Sequence, residues 1–340
     1  MKKFTKVCLL TALILLIVGI AFCSLFGMAG GYSQLESIRG SNDLTVHLGN
    51  LQFGIPYRFW HFGIWDNAID WRWDILTGGK ELVGHEKTRI FDHGDQIRDI
   101  TIDAGGANLV IKESEDDDIW LENRSSSEKV RYEADSDRIT VQAGYRRRIF
   151  GLGSMSDSSG EIYLYLPKDM ALDTIEMEIG GGKLDSIGLT ASEIYVELGG
   201  GKMVLDSLSA DSVELEIGAG KVDLKSLNAG YAELEVGAGK LSVNDMDVSE
   251  LVLDVGTGKA DLEGKITDYA NMACGVGNLD ILLTGNERDY DYNLECAIGK
   301  VNIGSNRYSG LASERYVNND SRRLISIDCA VGTVNVDFKN

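Results

Sequence analysis

Five consecutive stretches of this chain repeat with a period of 19 residues: IEMEIGGGKLDS from Ile175, IYVELGGGKMVLDS from Ile194, VELEIGAGKVDLKS from Val213, AELEVGAGKLSVND from Ala232 and LVLDVGTGKADLEG from Leu251. Lys183, Lys202, Lys221, Lys240 and Lys259 mark the period, and the pattern loosens afterwards at Asn278, Lys300 and Thr333. Within each unit apolar and polar residues alternate with period two, as in Ile175, Met177 and Ile179 against Glu176 and Glu178, which is the spacing of a strand and not of a helix. A βαβ unit takes about 30 residues. A 19-residue period instead suits one coil of a stacked repeat.

Stacking in register turns the repeat into columns about 4.8 Å apart. One inward column is Ile179, Leu198, Ile217, Val236, Val255, Cys274, Cys296 and Cys329; a second is Leu184, Met203, Val222, Leu241, Ala260, Leu279 and Val301; a third is Leu189, Leu208, Leu227 and Met246. The predicted fold is all-β: a parallel β-solenoid, a single-stranded β-helix, right-handed by the general rule for parallel crossovers. The glycine pairs Gly180 and Gly182, Gly199 and Gly201, Gly218 and Gly220, Gly237 and Gly239, and Gly256 and Gly258 mark a corner in every coil. Such a corner needs either positive φ or the absence of a Cβ. The chain holds 40 Gly and no Gly-X-Y period, which excludes collagen.

Two outward columns flank that corner. Glu178, Glu197, Glu216, Glu235 and Asp254 form an acidic ladder, a candidate binding surface for Ca²⁺ or a basic ligand; Lys183, Lys202, Lys221, Lys240 and Lys259 form a basic ladder beyond the glycines. The structural alternative is that opposite charges near one another simply relieve the repulsion of like charges one rung apart. GGGK and GAGK superficially invite nucleotide binding. A phosphate loop, however, needs GxxxxGK[ST] opening a helix, and here Leu184 or Val222 follows the lysine. The net charge of -20 disfavours nucleic acid as a partner. All four histidines, His47, His61, His85 and His93, precede the repeat, and Arg is absent from Leu172 to Glu287. No nucleophile, zinc or paired acid–base motif is present, so the reading assigns no catalytic residue, no metal site, no cofactor and no enzymatic activity.

The rest of the chain divides in two. Lys2, Lys3 and Lys6 precede an uncharged run from Val7 to Tyr32, long enough to span a bilayer, with the lysines inside and the remainder outside. Residues 1–32 therefore read as a basic tail and single transmembrane helix, with membrane contact over residues 7–29; a signal peptide cleaved near Gly27-Met28-Ala29 is the competing reading. Cys8 and Cys23 lie in this run, whereas Cys274, Cys296 and Cys329 read as core thiols. Residues 33–96 form a separate aromatic-rich segment. Trp60, Trp65, Trp71 and Trp73 suit a membrane interface or a cap over the solenoid end, and residues 77–96 read as a polar linker. From Ile97 short strands are expected at 97–103, 108–112, 118–123, 129–133, 138–142 and 161–166, the last two separated by a loop carrying Arg146, Arg147 and Arg148. The solenoid domain spans 97–340.

ITIDAGGANLVI (100–111), EIYLYLP (161–167) ending in Pro167, and IEMEIGGGKLDSIGL together make the chain resemble the bacterial putative-adhesin domain family of unknown function. The resemblance covers about residues 97–338 and implies a β-solenoid in the cell envelope; it supplies no catalytic residues. The expected function is a membrane-anchored, extracytoplasmic, non-enzymatic module binding an envelope polymer or a membrane protein. An envelope-stress component acting through a membrane partner and a polysaccharide-active β-helix enzyme are the alternatives.

Overall fold

The computed structural model describes residues 43–48, 51–56, 79–126, 129–143, 161–309 and 313–339. The chain divides into two units, Met1–Ile69 and Asp70–Asn340. In the first, β1 (Asp43–Leu48) and β2 (Leu51–Pro56) pair as an antiparallel hairpin. The apolar run Val7–Tyr32 and the four tryptophans Trp60, Trp65, Trp71 and Trp73 lie outside the described residues, as do Arg146, Arg147 and Arg148. No helix among the described residues is long and apolar enough to cross a membrane.

The second unit is one continuous sheet of 22 strands. Its N-terminal part comprises β3 (Lys80–Val83), β4 (Glu86–Phe91), β5 (Asp99–Asp103), β6 (Asn108–Glu113), β7 (Ile119–Asn123), β8 (Lys129–Ala134), β9 (Arg138–Ala143) and β10 (Glu161–Leu166). The regular part comprises β11 (Leu172–Ile179), β12 (Lys183–Ser186), β13 (Leu189–Leu198), β14 (Lys202–Ile217), β15 (Lys221–Val236), β16 (Lys240–Val255), β17 (Lys259–Cys274) and β18 (Asn278–Thr284). The C-terminal part comprises β19 (Asp291–Cys296), β20 (Lys300–Ile303), β21 (Asn306–Ser309), β22 (Ser313–Val317), β23 (Leu324–Cys329) and β24 (Thr333–Lys339).

In the regular part every pairing is parallel, and the register is the one that the repeat predicts except for a one-residue slip between β16 and β17, where Met246 faces Gly264 and Val248 faces Ile266: Leu198 faces Ile217, Ile217 faces Val236, and Val236 faces Val255. Each lysine of the repeat opens a strand, so no helix follows the glycines. Along β15 the buried positions are Val222, Leu224, Leu227, Ala229, Ala232, Leu234 and Val236, none more than 5% exposed. These positions step by two residues within a straight stretch, but by three from Leu224 to Leu227 and from Ala229 to Ala232. Each three-residue step re-aims the inward face. A coil therefore has three sides, with two further bends besides the Gly-x-Gly corner. Fully burying a Leu, Ile or Val contributes about 1.5–3 kcal/mol, so this apolar interior is the main source of stability.

The two ends are woven differently. Outward from β11 and β12 come β5 and β6, then β9 and β10, then β8 and β7, which run antiparallel to them, and finally β3 and β4. Outward from β17 and β18 come β23 and β24, then β19 and β20, then the antiparallel strands β22 and β21. The outermost strands, β3 and β4 at one end and β21 and β22 at the other, are short, which limits the edge that each end presents. Residues 80–83 and 86–91, expected to be a polar linker, are strands of this cap. Their alternating pattern buries only Leu82 and Ile90, too few apolar positions for the sequence to betray a strand. Chain order also predicts the thiol column as Cys274, Cys296, Cys329, whereas the stack runs Cys274, Cys329, Cys296, because β23 lies between β17 and β19.

At the C-terminal end the core is filled by Tyr290 and Tyr292, both buried, with hydroxyls donating to the carbonyls of Ile266 (2.9 Å) and Glu287 (2.7 Å). Asp291 pins the loop before β23 by accepting from the backbone N–H groups of Asn319 (2.7 Å) and Ser321 (3.2 Å).

Candidate functional site

Outward side chains on the strand entering the Gly-x-Gly corner form one line. In spatial order it is Asp103, Glu178, Glu197, Glu216, Glu235, Asp254, Ala273, Asp328 and Glu295. The ladder read from the repeat is therefore present, extended by Asp103 at one end and by Asp328 and Glu295 at the other. Those three sit on coils stacked out of chain order, so the period of 19 misses them. Their signal is local: each immediately precedes a buried inward residue, Ala104, Cys329 or Cys296, as Glu178 precedes Ile179.

Crowding and burial show in their proton affinity. Burial pushes the Asp328 carboxyl up to about 6, helped by the neighbouring charges of Glu295 and Asp254. Glu178 is raised by burial and then by Asp103, Glu197 and Glu176. Burial also raises Asp103, although the Gly105 N–H donates to it.

The basic ladder is built as predicted, Lys183 to Lys202 to Lys221 to Lys240 to Lys259. Its ion pairs are not those expected across the corner. The lysines turn to carboxylates two residues along their own strands or on the next coil: Lys221 and Lys202 to Asp223 (2.8 and 3.7 Å), Lys240 and Lys259 to Asp261 (3.0 and 2.7 Å), and Lys259 to Asp280 (2.9 Å). The reason is geometric: residues i and i+2 of a strand share a face, whereas the corner turns the glutamates onto another side. Burial pushes Asp261 up, but the hydrogen bonds from Lys259 and Lys240 prevail and hold it below the usual carboxylate range. An amide chain continues this column, Asn302 donating to Asn335 and Asn335 to Asp280, both at 2.6 Å. Each exposed pair is worth about 0–1 kcal/mol, so this face is neutralised more than it is strengthened.

The corner between the columns has an apolar tip towards its C-terminal end. Val276, Val331 and Ile298, the middle residues of three successive corners, are 63%, 52% and 66% exposed.

Two further clusters occur on the N-terminal cap. Outward Tyr163 and Tyr165 stack at 6.1 Å between ring centroids; Lys112 and Arg124 lie over Tyr163 (4.7 and 4.2 Å), and Lys87 lies over Tyr165 and Trp120 (4.3 and 5.2 Å). Tyr165 donates to Glu122 (2.6 Å), which Arg124 grips with two nitrogens. The alternation in EIYLYLP is the signal that places both tyrosines on one face. Asp92, His93 and Asp118 bring ligand-type atoms within 4.8 Å of one another. Their carboxylates are engaged: Arg89 Nη1 donates to Asp92 (3.2 Å) and Asp118 (2.9 Å), and the His93 N–H donates to Asp118 (3.0 Å). That N–H and the guanidinium hold Asp118 below its ordinary range.

The model of the Toastrack DUF4097 family matches residues 97–337. No curated protein matches the chain. Among solved structures, it is similar to a putative adhesin from Bacteroides fragilis NCTC 9343 at 14% identity, over 76% of this chain and 97% of that one, with a TM-score of 0.44. A putative adhesin from Parabacteroides merdae ATCC 43184 matches at 15% identity, over 77% and 98% of the two chains, with a TM-score of 0.41.

Proposed function

This chain belongs to the Toastrack DUF4097 family, and from that premise we propose that it is a non-catalytic binding scaffold outside the cell membrane, held there by residues 7–29. Its long face engages an envelope polymer or a membrane protein carrying repeated cationic groups. The observation that supports this reading is the acidic ladder, eight carboxylates on nine consecutive rungs. Rung spacing of about 4.8 Å gives an extended partner many equivalent, individually weak contacts. Each contact at such a surface is worth about 0–1 kcal/mol, so affinity rests on their number.

The test is capture of envelope fractions by the full chain, with and without Ca²⁺, beside a variant carrying Glu197→Gln, Glu216→Gln and Glu235→Gln. These side chains point outward, so the variant keeps the core. The expected result is retention of an envelope component by the unaltered chain and a loss of at least tenfold in the triple variant. Equal capture by both would overturn the reading.

A further inference from the structure

Three of the five cysteines stand on consecutive rungs of one inward column, although 22 and 33 residues separate them along the chain. Cys274 faces Cys329 in register and Cys329 faces Cys296; none of the three is in a disulfide, and all are buried, 1%, 3% and 4% exposed. The same column holds Ile217, Val236 and Val255 in the coils before. Aliphatic packing alone is thus satisfied by valine here, and thiols appear only where the chain order is broken to bring them together.

Their geometry repeats with the coils. Cys274 Sγ donates to the Gly277 carbonyl and Cys329 Sγ to the Gly332 carbonyl, each at 3.3 Å, so both thiols point the same way. Each sulfur also rests against a glycine of the next coil: a Cβ on Gly332 would lie 2.6 Å from Cys274 Sγ, and one on Gly299 would lie 2.5 Å from Cys329 Sγ. Equivalent atoms on adjacent rungs are about 4.8 Å apart. A disulfide needs sulfurs at about 2.05 Å, which would swing both out of their glycine niches. An ion bound to two thiolates at about 2.3 Å each spans about 4.6 Å, which the rung spacing already supplies. The backbone N–H groups of Thr333 and Lys300 donate to the Gly277 and Gly332 carbonyls (3.1 and 3.0 Å), the same carbonyls that the two thiols reach.

We propose that Cys274, Cys329 and Cys296 form a binding site for a soft, thiophilic monovalent cation such as Cu(I) or Ag(I), held between two stacked sulfurs, with Cys329 the shared ligand. Two thiols and one cation give a bis-thiolate complex of charge -1 and two protons released to solvent; nothing is oxidised or reduced. Soft thiolate donors favour such ions over Mg²⁺ or Ca²⁺.

The order of the stack gives the proposal a specific signature. Cys274→Val leaves the Cys329–Cys296 pair, Cys296→Val leaves the Cys274–Cys329 pair, and Cys329→Val leaves neither. Valine already occupies this column at Val236 and Val255, so all three variants should fold. The experiment loads the full chain, carrying Cys8→Ser and Cys23→Ser, anaerobically with Ag(I), removes excess ion, and measures silver per chain by elemental analysis together with the melting temperature. Expected is one ion retained by Cys274→Val and by Cys296→Val, with a raised melting temperature, and at least tenfold less silver on Cys329→Val. Silver retained by Cys329→Val, silver lost equally from all three variants, or a Cys329 disulfide found by peptide mapping before loading would overturn the proposal.

Discussion

A Cβ on Gly239 would lie 2.4 Å from the Gly220 carbonyl oxygen in the adjacent coil, and one on Gly182 would lie 1.9 Å from that of Ala107. This contact, rather than a left-handed backbone, is what the corners demand. Among the corner glycines of the regular coils only Gly201 has positive φ, at 109°. The middle residue of the corner is unconstrained by comparison: Ala238 is exposed, and Val276 and Val331 fill the same place elsewhere. Two substitutions one residue apart should therefore differ sharply. Gly239→Val forces neighbouring coils apart and is expected to cost about 1–3 kcal/mol. Ala238→Val should stay within about 0.5 kcal/mol of the unaltered protein. Denaturant midpoints for the two variants decide it, and equal shifts would mean that the coils do not touch through the glycines.

At the scale of elements, the regular coils and the caps obey different logic. β14 through β17 each pair with the segment one repeat away, so local alternation and the period of 19 together define fold, register and both charged columns. The two other bends are equally visible, as three-residue steps such as Leu205 to Leu208. In the caps the strands β5 to β10 are legible from local alternation but their pairing is not, since β5 joins β11 and β23 joins β17 and β19 across unequal separations. There the register is fixed by packing between distant segments, and no repeat advertises it. The C-terminal coil has a testable consequence. β23 and β24 separate β17 and β18 from β19 and β20, so a chain ending at Val317 would leave those two layers facing a gap one coil thick. Contacts in a stacked repeat reach only nearest neighbours. Hydrogen exchange should accordingly show lost protection over 259–303 in the truncated chain, with β13 to β15 still protected. Uniform loss along the whole sheet, or none, would contradict this arrangement.

At the scale of the whole molecule, the net charge of -20 opposes compaction, and the ladder concentrates that charge. Unfolded carboxylates titrate near about 3.9–4.3. Asp103, Glu178 and Asp328 are raised in the fold, Asp328 up to about 6. Between those values the folded chain holds protons that the unfolded chain has released. Stability therefore rises as pH falls from about 7 through about 6 towards about 4. Another set is lowered. Backbone N–H groups hold Asp291 down, His93 N–H and Arg89 hold Asp118, and Lys129 holds Glu81. Their contribution is present above about 4 and is lost as pH drops through their folded values. The two sets together give a dome with its maximum between about pH 4 and 6, displaced to the acid side. Asp328→Asn tests the cause, because it removes the charge at the most perturbed rung without shortening the side chain. Its melting temperature should exceed that of the unaltered protein at about pH 8, and the two should converge near about pH 4.5, where Asp328 is already protonated in the fold. A melting temperature for the unaltered protein that climbs steadily from about pH 5 to pH 8 would show that ladder repulsion and burial do not govern its stability.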